Sequence, residues 1–376
     1  ITILPTFSSV REINYKNPGN LYIFTYFIQL MCIRGITMRI NHIKLLVLSS
    51  SFLCSTMAGA AQLYSKDGTH VSLNGEVKGR HYFSGDKTVD GDNSQVKLML
   101  SGDTKINNRL TGYSYWEYNI PVNNTEGSNS KATTRIAYAG IKIDDDNSLN
   151  YGRNYGIMDD ISGWTGIPVP EWGGESYDGI DNFMTYRTNN LLTYRDKNLF
   201  SLIPGLELGI QAQGKNDGWN DTENETGPRS NNPRGVAHQN GNGVGSSLIY
   251  HITDALSAGA SYANSDRTLE QKQDRRGDRA TGWNAGFKYD ASRVYLAAYY
   301  GAVNNMHYIG SADGFSHKAR GFEVLAQYHF DSGFTPSVLY TQGTALNLHN
   351  DDYSHNMDYI KFFDLAGMYN FNKNLE

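Results

Sequence analysis

The sequence predicts an all-β fold, a transmembrane antiparallel β-barrel. Three observations lead there. From residue 71 onward apolar and polar residues alternate with period two, as in Val71, Leu73, Gly75 and Val77 against Ser72, Asn74, Glu76 and Lys78. The connections between such segments are alternately short and long. No apolar run reaches the roughly 18 residues a membrane helix needs, which excludes a helical membrane protein but not strands that show only every second residue to lipid.

Successive side chains on a strand point to opposite faces, so each alternating segment has one apolar and one polar face. About fourteen strands are predicted, near 71–83, 95–105, 110–118, 133–143, 148–152, 189–195, 206–215, 243–252, 256–265, 281–289, 294–302, 321–330, 334–343 and 359–371. Short turns are expected at 106–109, 144–147, 253–255, 290–293 and 331–333, and long loops at 119–132, 216–242, 266–280, 303–320 and 344–358. In hydrocarbon an unpaired backbone amide costs several kcal/mol, so such a sheet must close on itself. Tyr113, Tyr115, Tyr118, Tyr262, Tyr289, Tyr299, Tyr300, Tyr328, Phe330 and Phe371 lie near strand ends, where interfacial girdles form.

The longest insertion, about 153–188, carries Trp164, Pro168, Pro170, Trp172, Gly173 and Gly174. Two Trp and two Pro argue against a floppy tether, and a lumen is the natural place for it. The net charge of −5 argues against a nucleic-acid partner, which would need a basic face. The mean hydropathy of −0.51 describes a chain polar on average. Cys32 and Cys54 both precede the alternating region, so no disulfide framework and no Cys-based zinc site can form there.

Residues 38–60 read as a signal peptide. Arg39 and Lys44 give the basic start, Leu45 to Leu53 a short apolar core, and Ala58-Gly59-Ala60 an A-x-A cleavage site. The mature chain then begins at Ala61 and fills 61–376 as the barrel, while 1–37 reads as translated upstream sequence outside the fold.

The segments HYFSGDK, LTGYSYWEYN, YGRNYG, PEWGGE, GLELGIQAQGKN, FKYDASRVYLAAYYG and FEVLAQYHFD resemble the enterobacterial general-diffusion porins, a resemblance that runs from AQLYSKDG to FNKN. It implies a sixteen-stranded barrel, a homotrimer, and an inward-folded third loop whose tip matches Pro170, Glu171, Trp172, Gly173, Gly174 and Glu175. It also implies a pore waist at which basic wall residues, here Lys97, Arg135 and Arg187, face the loop acid Glu171. Two positions depart from the pattern: Glu76 stands where the family has a basic residue, and Gly166 aligns with a loop Asp. The expected result is a weak cation preference. Glu126 matches the family's latch into the neighbouring subunit, with Arg153 as its partner. The implied partners are outer-membrane lipid and lipopolysaccharide, the outer-membrane assembly machinery, and small polar solutes and ions. No cofactor is implied. By the family pattern two strands and a terminal Phe would follow Glu376, so the sequence reads as a C-terminally truncated chain that does not assemble in the usual way.

Two other classes compete. An outer-membrane barrel protease or lipase would need a fixed catalytic pair, and His349 and His355 flanking Asp351 and Asp352 offer only a polar loop. A soluble carbohydrate-binding β-sandwich would alternate too, without the regular short and long connections. Gly241, Gly243 and Gly245 lack the spacing and the following helix of a nucleotide loop.

Overall fold

The computed structural model describes residues 54–376 except 129–130, 170–172, 175, 178, 219–232, 311–313 and 351–352. Most of the expected leader 38–60, and all of 1–37, therefore lie outside the described residues. Fifteen antiparallel strands form one sheet in chain order. They are β1 Cys54–Lys66, β2 Thr69–Gly79, β3 Gln95–Lys105, β4 Thr111–Pro121, β5 Thr133–Lys142, β6 Asn147–Tyr155, β7 Arg187–Asp196, β8 Leu206–Gln213, β9 Gly243–His251, β10 Leu256–Asp266, β11 Arg279–Ala291, β12 Val294–Asn304, β13 Lys318–Tyr328, β14 Phe334–Asn350 and β15 Tyr353–Tyr369. Each pairs with the strand before and after it, while the edge strands β1 and β15 are not bonded to each other.

The alternation places apolar side chains outside. On β13, Phe322 and Val324 are 40% and 39% exposed, whereas Glu323 and Leu325 between and beyond them are 0% and 1% exposed. On the inner faces of β8 to β14 lie buried Gln211, Gln213, Ser247, Ser261, Asn284, Gln327 and Thr341. A water-soluble sheet would bury the other face; this pattern requires an apolar solvent outside.

The strands differ from expectation at two places. The sheet has fifteen strands rather than about fourteen, because β1 precedes the first predicted one. Asp67 and Gly68 have φ of 52° and 72°, the paired left-handed residues of a two-residue hairpin turn that joins β1 to β2. β1 also starts at Cys54, upstream of the expected mature start, and its register with β2 slips between Ala58 and Ala61. The predicted loop at 344–358 is instead mostly ladder: β14 and β15 pair from Phe334 opposite Tyr369 as far as Asn350 opposite Tyr353, and bulges in this hairpin obscure its period. Three girdle assignments also change. Tyr299 is only 2% exposed. The Tyr115 hydroxyl donates to Glu117 Oε2 at 3.1 Å, and Tyr113 accepts from Asn150 Nδ2 at 3.1 Å. All three serve the interior, whereas Tyr262, Tyr289, Tyr300, Tyr328, Phe330 and Phe371 remain exposed as expected.

Between β6 and β7 the chain turns inward. Gly156 closes the base of this loop: a Cβ there would stand 2.3 Å from the Met184 carbonyl carbon, so only glycine lets the two limbs meet. The helix α1, Asp159–Gly166, follows. Ile157, Met158, Ile161 and Trp164 pack in one buried cluster with Ala263, Tyr295, Ala297, Tyr299 and Val303 on the inner wall of β10 to β12. At the C-terminal end of α1, Gly173 passes so closely that an added Cβ would lie 2.3 Å from the Thr165 carbonyl oxygen.

Glu323 pins this loop. Its carboxylate accepts from Thr165 Oγ1 and the Gly174 amide, both at 2.7 Å, from the Ser176 amide at 2.9 Å and from the Tyr299 hydroxyl at 2.8 Å. The Tyr295 hydroxyl adds a bond to the Trp164 carbonyl at 2.7 Å, and Gln327 Nε2 one to the Pro168 carbonyl at 2.8 Å.

Two outcomes follow. Val324→Arg, on the outer face, should lower stability in bilayers by about 2–4 kcal/mol in urea titrations. Glu323→Ala should cost about 2–6 kcal/mol, because the Gly174 and Ser176 amides lose their buried acceptor, and should raise open-channel current noise as the loop loosens; a quiet channel of unchanged stability would contradict the anchor.

Candidate functional site: a charged channel wall

The strand ladder brings the predicted wall residues together and supplies partners for most of them. Glu76 on β2 sits directly opposite Lys97 on β3, with Nζ and Oε2 3.1 Å apart. On β5, Arg135 Nε donates to Glu117 Oε1 on β4 at 2.5 Å. The sequence reading missed Glu117, although alternation from Tyr113 through Tyr115 put it on the inner face. A register shift follows it, at Tyr118, and brings Arg135 beside its carboxylate.

Arg153 on β6 donates through Nε to the Arg135 carbonyl at 2.9 Å, and its Nη1 pairs with Asp181 of the inward loop. Within the single chain Arg153 thus holds Asp181, and the expected latch acid Glu126 is exposed. Arg195 on β7 makes a bidentate pair with Asp160 of α1, at 2.7 and 2.8 Å, and Ser247 Oγ on β9 adds a bond to the same carboxylate. These contacts hold the start of α1 as Glu323 holds its end.

Arg187 differs. It begins β7 and is 7% exposed; its guanidinium lies 4.6 Å over the Tyr186 ring, which meets Tyr155 edge-on at 5.6 Å. Its Nε and Nη1 have no hydrogen-bond partner among the described residues. Glu117 on β4 and Asp159 on α1 are nearby acids. Enclosure within the lumen, together with the adjoining Asp160 and against the opposing pull of Arg187 and Arg195, pushes the Asp159 carboxyl up to about 7.

Of the expected loop tip, Gly173 and Gly174 are seen at the Glu323 anchor. Pro170, Glu171, Trp172 and Glu175 lie outside the described residues. Among the described residues no group of three or more His, Cys, Asp or Glu could hold a metal ion. His355 lies opposite Leu348 in the β14–β15 ladder. The first Asp of the 144–146 turn is used by the turn itself, its Oδ1 accepting the Asp146 and Asn147 amides.

The family model of the Gram-negative porins matches residues 66–376. Outer membrane porin N of Escherichia coli is 44% identical over 88% of this chain and 89% of its own length. Outer membrane protein F of Serratia marcescens is 42% identical over 88% and 89%. Among solved structures, Salmonella typhi OmpF in complex with daunomycin superposes with a TM-score of 0.72 at 36% identity, over 84% of this chain and 89% of that one. With an inverted antiparallel sheet, a loop pinned inside it and charged residues lining its inner wall, the chain belongs to the Gram-negative porin family.

Proposed function

We propose that this outer-membrane porin is a passive, weakly cation-preferring diffusion channel for small polar solutes and ions, working as a homotrimer. The observation that carries this reading is the loop 156–186, fixed on the inner wall opposite a set of charges that are largely paired off. Conduction needs a polar lumen and a constriction whose charges set selectivity, and no nucleophile or cofactor. Four wall cations, Lys97, Arg135, Arg153 and Arg195, each hold a carboxylate. The field across the waist is then left to Arg187 and Asp159, and the family resemblance adds Glu171 to them.

Residues 38–60 direct export in this reading. The outer face meets lipid and lipopolysaccharide, and the assembly machinery inserts the barrel. A latch to the next subunit has Arg153 shared between its own Asp181 and a neighbour's Glu126. Reversing the charge at Glu126 should lower the dissociation temperature of the trimer; an unchanged temperature returns Glu126 to the role of a solvated loop acid.

Planar-bilayer reversal potentials test the electrostatics. Glu76→Lys sets two cations face to face and should move selectivity toward anions, and an unchanged potential would show that this pair does not tune the pore. Arg187→Ser should favour cations by roughly two-fold, the effect of about 0.4 kcal/mol from one charge at about 10 Å in water. Asp159 is neutral below its raised pKa and anionic above it, so cation preference should rise as pH increases through about 7. By the same sign, its contribution to stability is present at low pH and is lost as pH rises toward 7. Asp159→Asn should abolish the step in both readouts.

A further inference from the structure

The connection between β7 and β8, residues 197–205, differs from the other turns at its end of the barrel. Four neighbouring turns expose one large aliphatic or aromatic side chain apiece: Ile106, Ile143, Ile252 and Phe330 are 56%, 37%, 45% and 49% exposed. This connection exposes three, Phe200 at 59%, Leu202 at 76% and Ile203 at 43%. Its backbone is also unusual. Leu199, Phe200 and Ser201 have φ of 36°, 55° and 59°, three consecutive non-glycine residues in the left-handed region. Such a run persists only where its surroundings over-determine it.

They do so here. The buried carboxylate of Asp196 accepts the Asn198 amide at 2.9 Å and the Phe200 amide at 2.6 Å. Asn198 Nδ2 bonds Asp146 Oδ2 of the adjacent turn at 2.7 Å, and the Lys197 amide bonds the Asp146 carbonyl at 3.2 Å. Polar groups clamp the base of a strained turn whose apolar tip stays exposed among the described residues. The flanking strands carry exposed apolar columns, with Leu192 on β7 and Ile210 on β8 at 43% and 48% exposure. These columns face lipid in a barrel with this inverted pattern. Lys197, exposed at the base, can reach the phosphate level while its stem stays apolar.

We infer that Phe200, Leu202 and Ile203 form a rigid prong that inserts into the periplasmic leaflet at the boundary between phospholipid headgroups and acyl chains, fixing the depth of the barrel on this side. The inference rests on the porin reading for its lipid-facing wall; single-channel conductance, measured on the same samples, tests that reading separately. The experiment uses Leu202→Cys labelled with an environment-sensitive NBD dye, with Cys32 and Cys54 replaced by Ser, in vesicles of phosphatidylethanolamine and phosphatidylglycerol. Phe200→Cys serves as a second position should the first variant not fold, and Asp145→Cys on the neighbouring turn is the control. Blue-shifted emission strongly quenched by shallow spin-labelled lipids at 202 or 200, but not at 145, is the expected result. Water-like emission without lipid quenching in a conducting channel overturns the prong. Shielding without lipid quenching that appears only in the trimer assigns the tip to a second copy and overturns it as well.

Discussion

Hydrocarbon offers no partner to a backbone amide, and every feature of this chain answers to that. Fifteen strands satisfy one another along continuous ladders, and the period-two pattern then decides which solvent each face meets. Because oil lies outside, the interior collects the polar residues, and a polar interior admits water. The loop between β6 and β7 exploits an apolar region within that interior, where Tyr295, Ala297, Tyr299 and Val303 line the wall of β12. Ile157, Met158, Ile161 and Trp164 fill it, so the loop is held by a small hydrophobic core on one side of the lumen.

A hydrophobic contact is non-directional and would let the loop slide. The buried carboxylate of Glu323 adds direction. Four donors from three separate parts of the chain converge on its two oxygens, and two of them are main-chain amides that cannot be re-aimed without moving the loop. A buried carboxylate is tolerated only with such complete hydrogen bonding. The arrangement therefore fixes how far the loop projects into the water path.

What the sequence made legible was what depends on neighbours two residues apart. The alternation locates most strands and puts Lys97, Arg135 and Glu76 on the inner face. Hidden from it were relations that depend on distant chain segments. Glu323 reads as one more inward polar residue, since its donors at Thr165, Gly174 and Ser176 lie about half the chain away. The same limit applies to Tyr299: an aromatic near a strand end fits a girdle or an anchor equally, and only parity relative to Tyr300 separates them. The first hairpin is a different case, because Asp67-Gly68 was a local signal of a tight turn in plain view. Residues 344–358 misled because bulges break the period-two rhythm while leaving the ladder intact.

Charge pairing along the wall has a physical cause. A narrow lumen bordered by protein and lipid screens a fixed charge less well than open water does, so an isolated cation there carries a desolvation cost. Cross-strand geometry offers relief wherever a carboxylate can sit on the same face of the next strand, as Glu76 does for Lys97 and Glu117 for Arg135. Arg187 begins β7 at the last rung of its ladder, opposite Tyr155 on β6, and its neighbours Tyr186 and Tyr155 offer aromatic faces and edges in place of a carboxylate. A guanidinium tolerates this better than an ammonium would, being planar and weakly hydrated. In the proposed channel the residual field of the waist arises at the junction of strand and loop, where no carboxylate bonds the guanidinium of Arg187, and Asp159, one turn into the same loop, is the group whose protonation answers it.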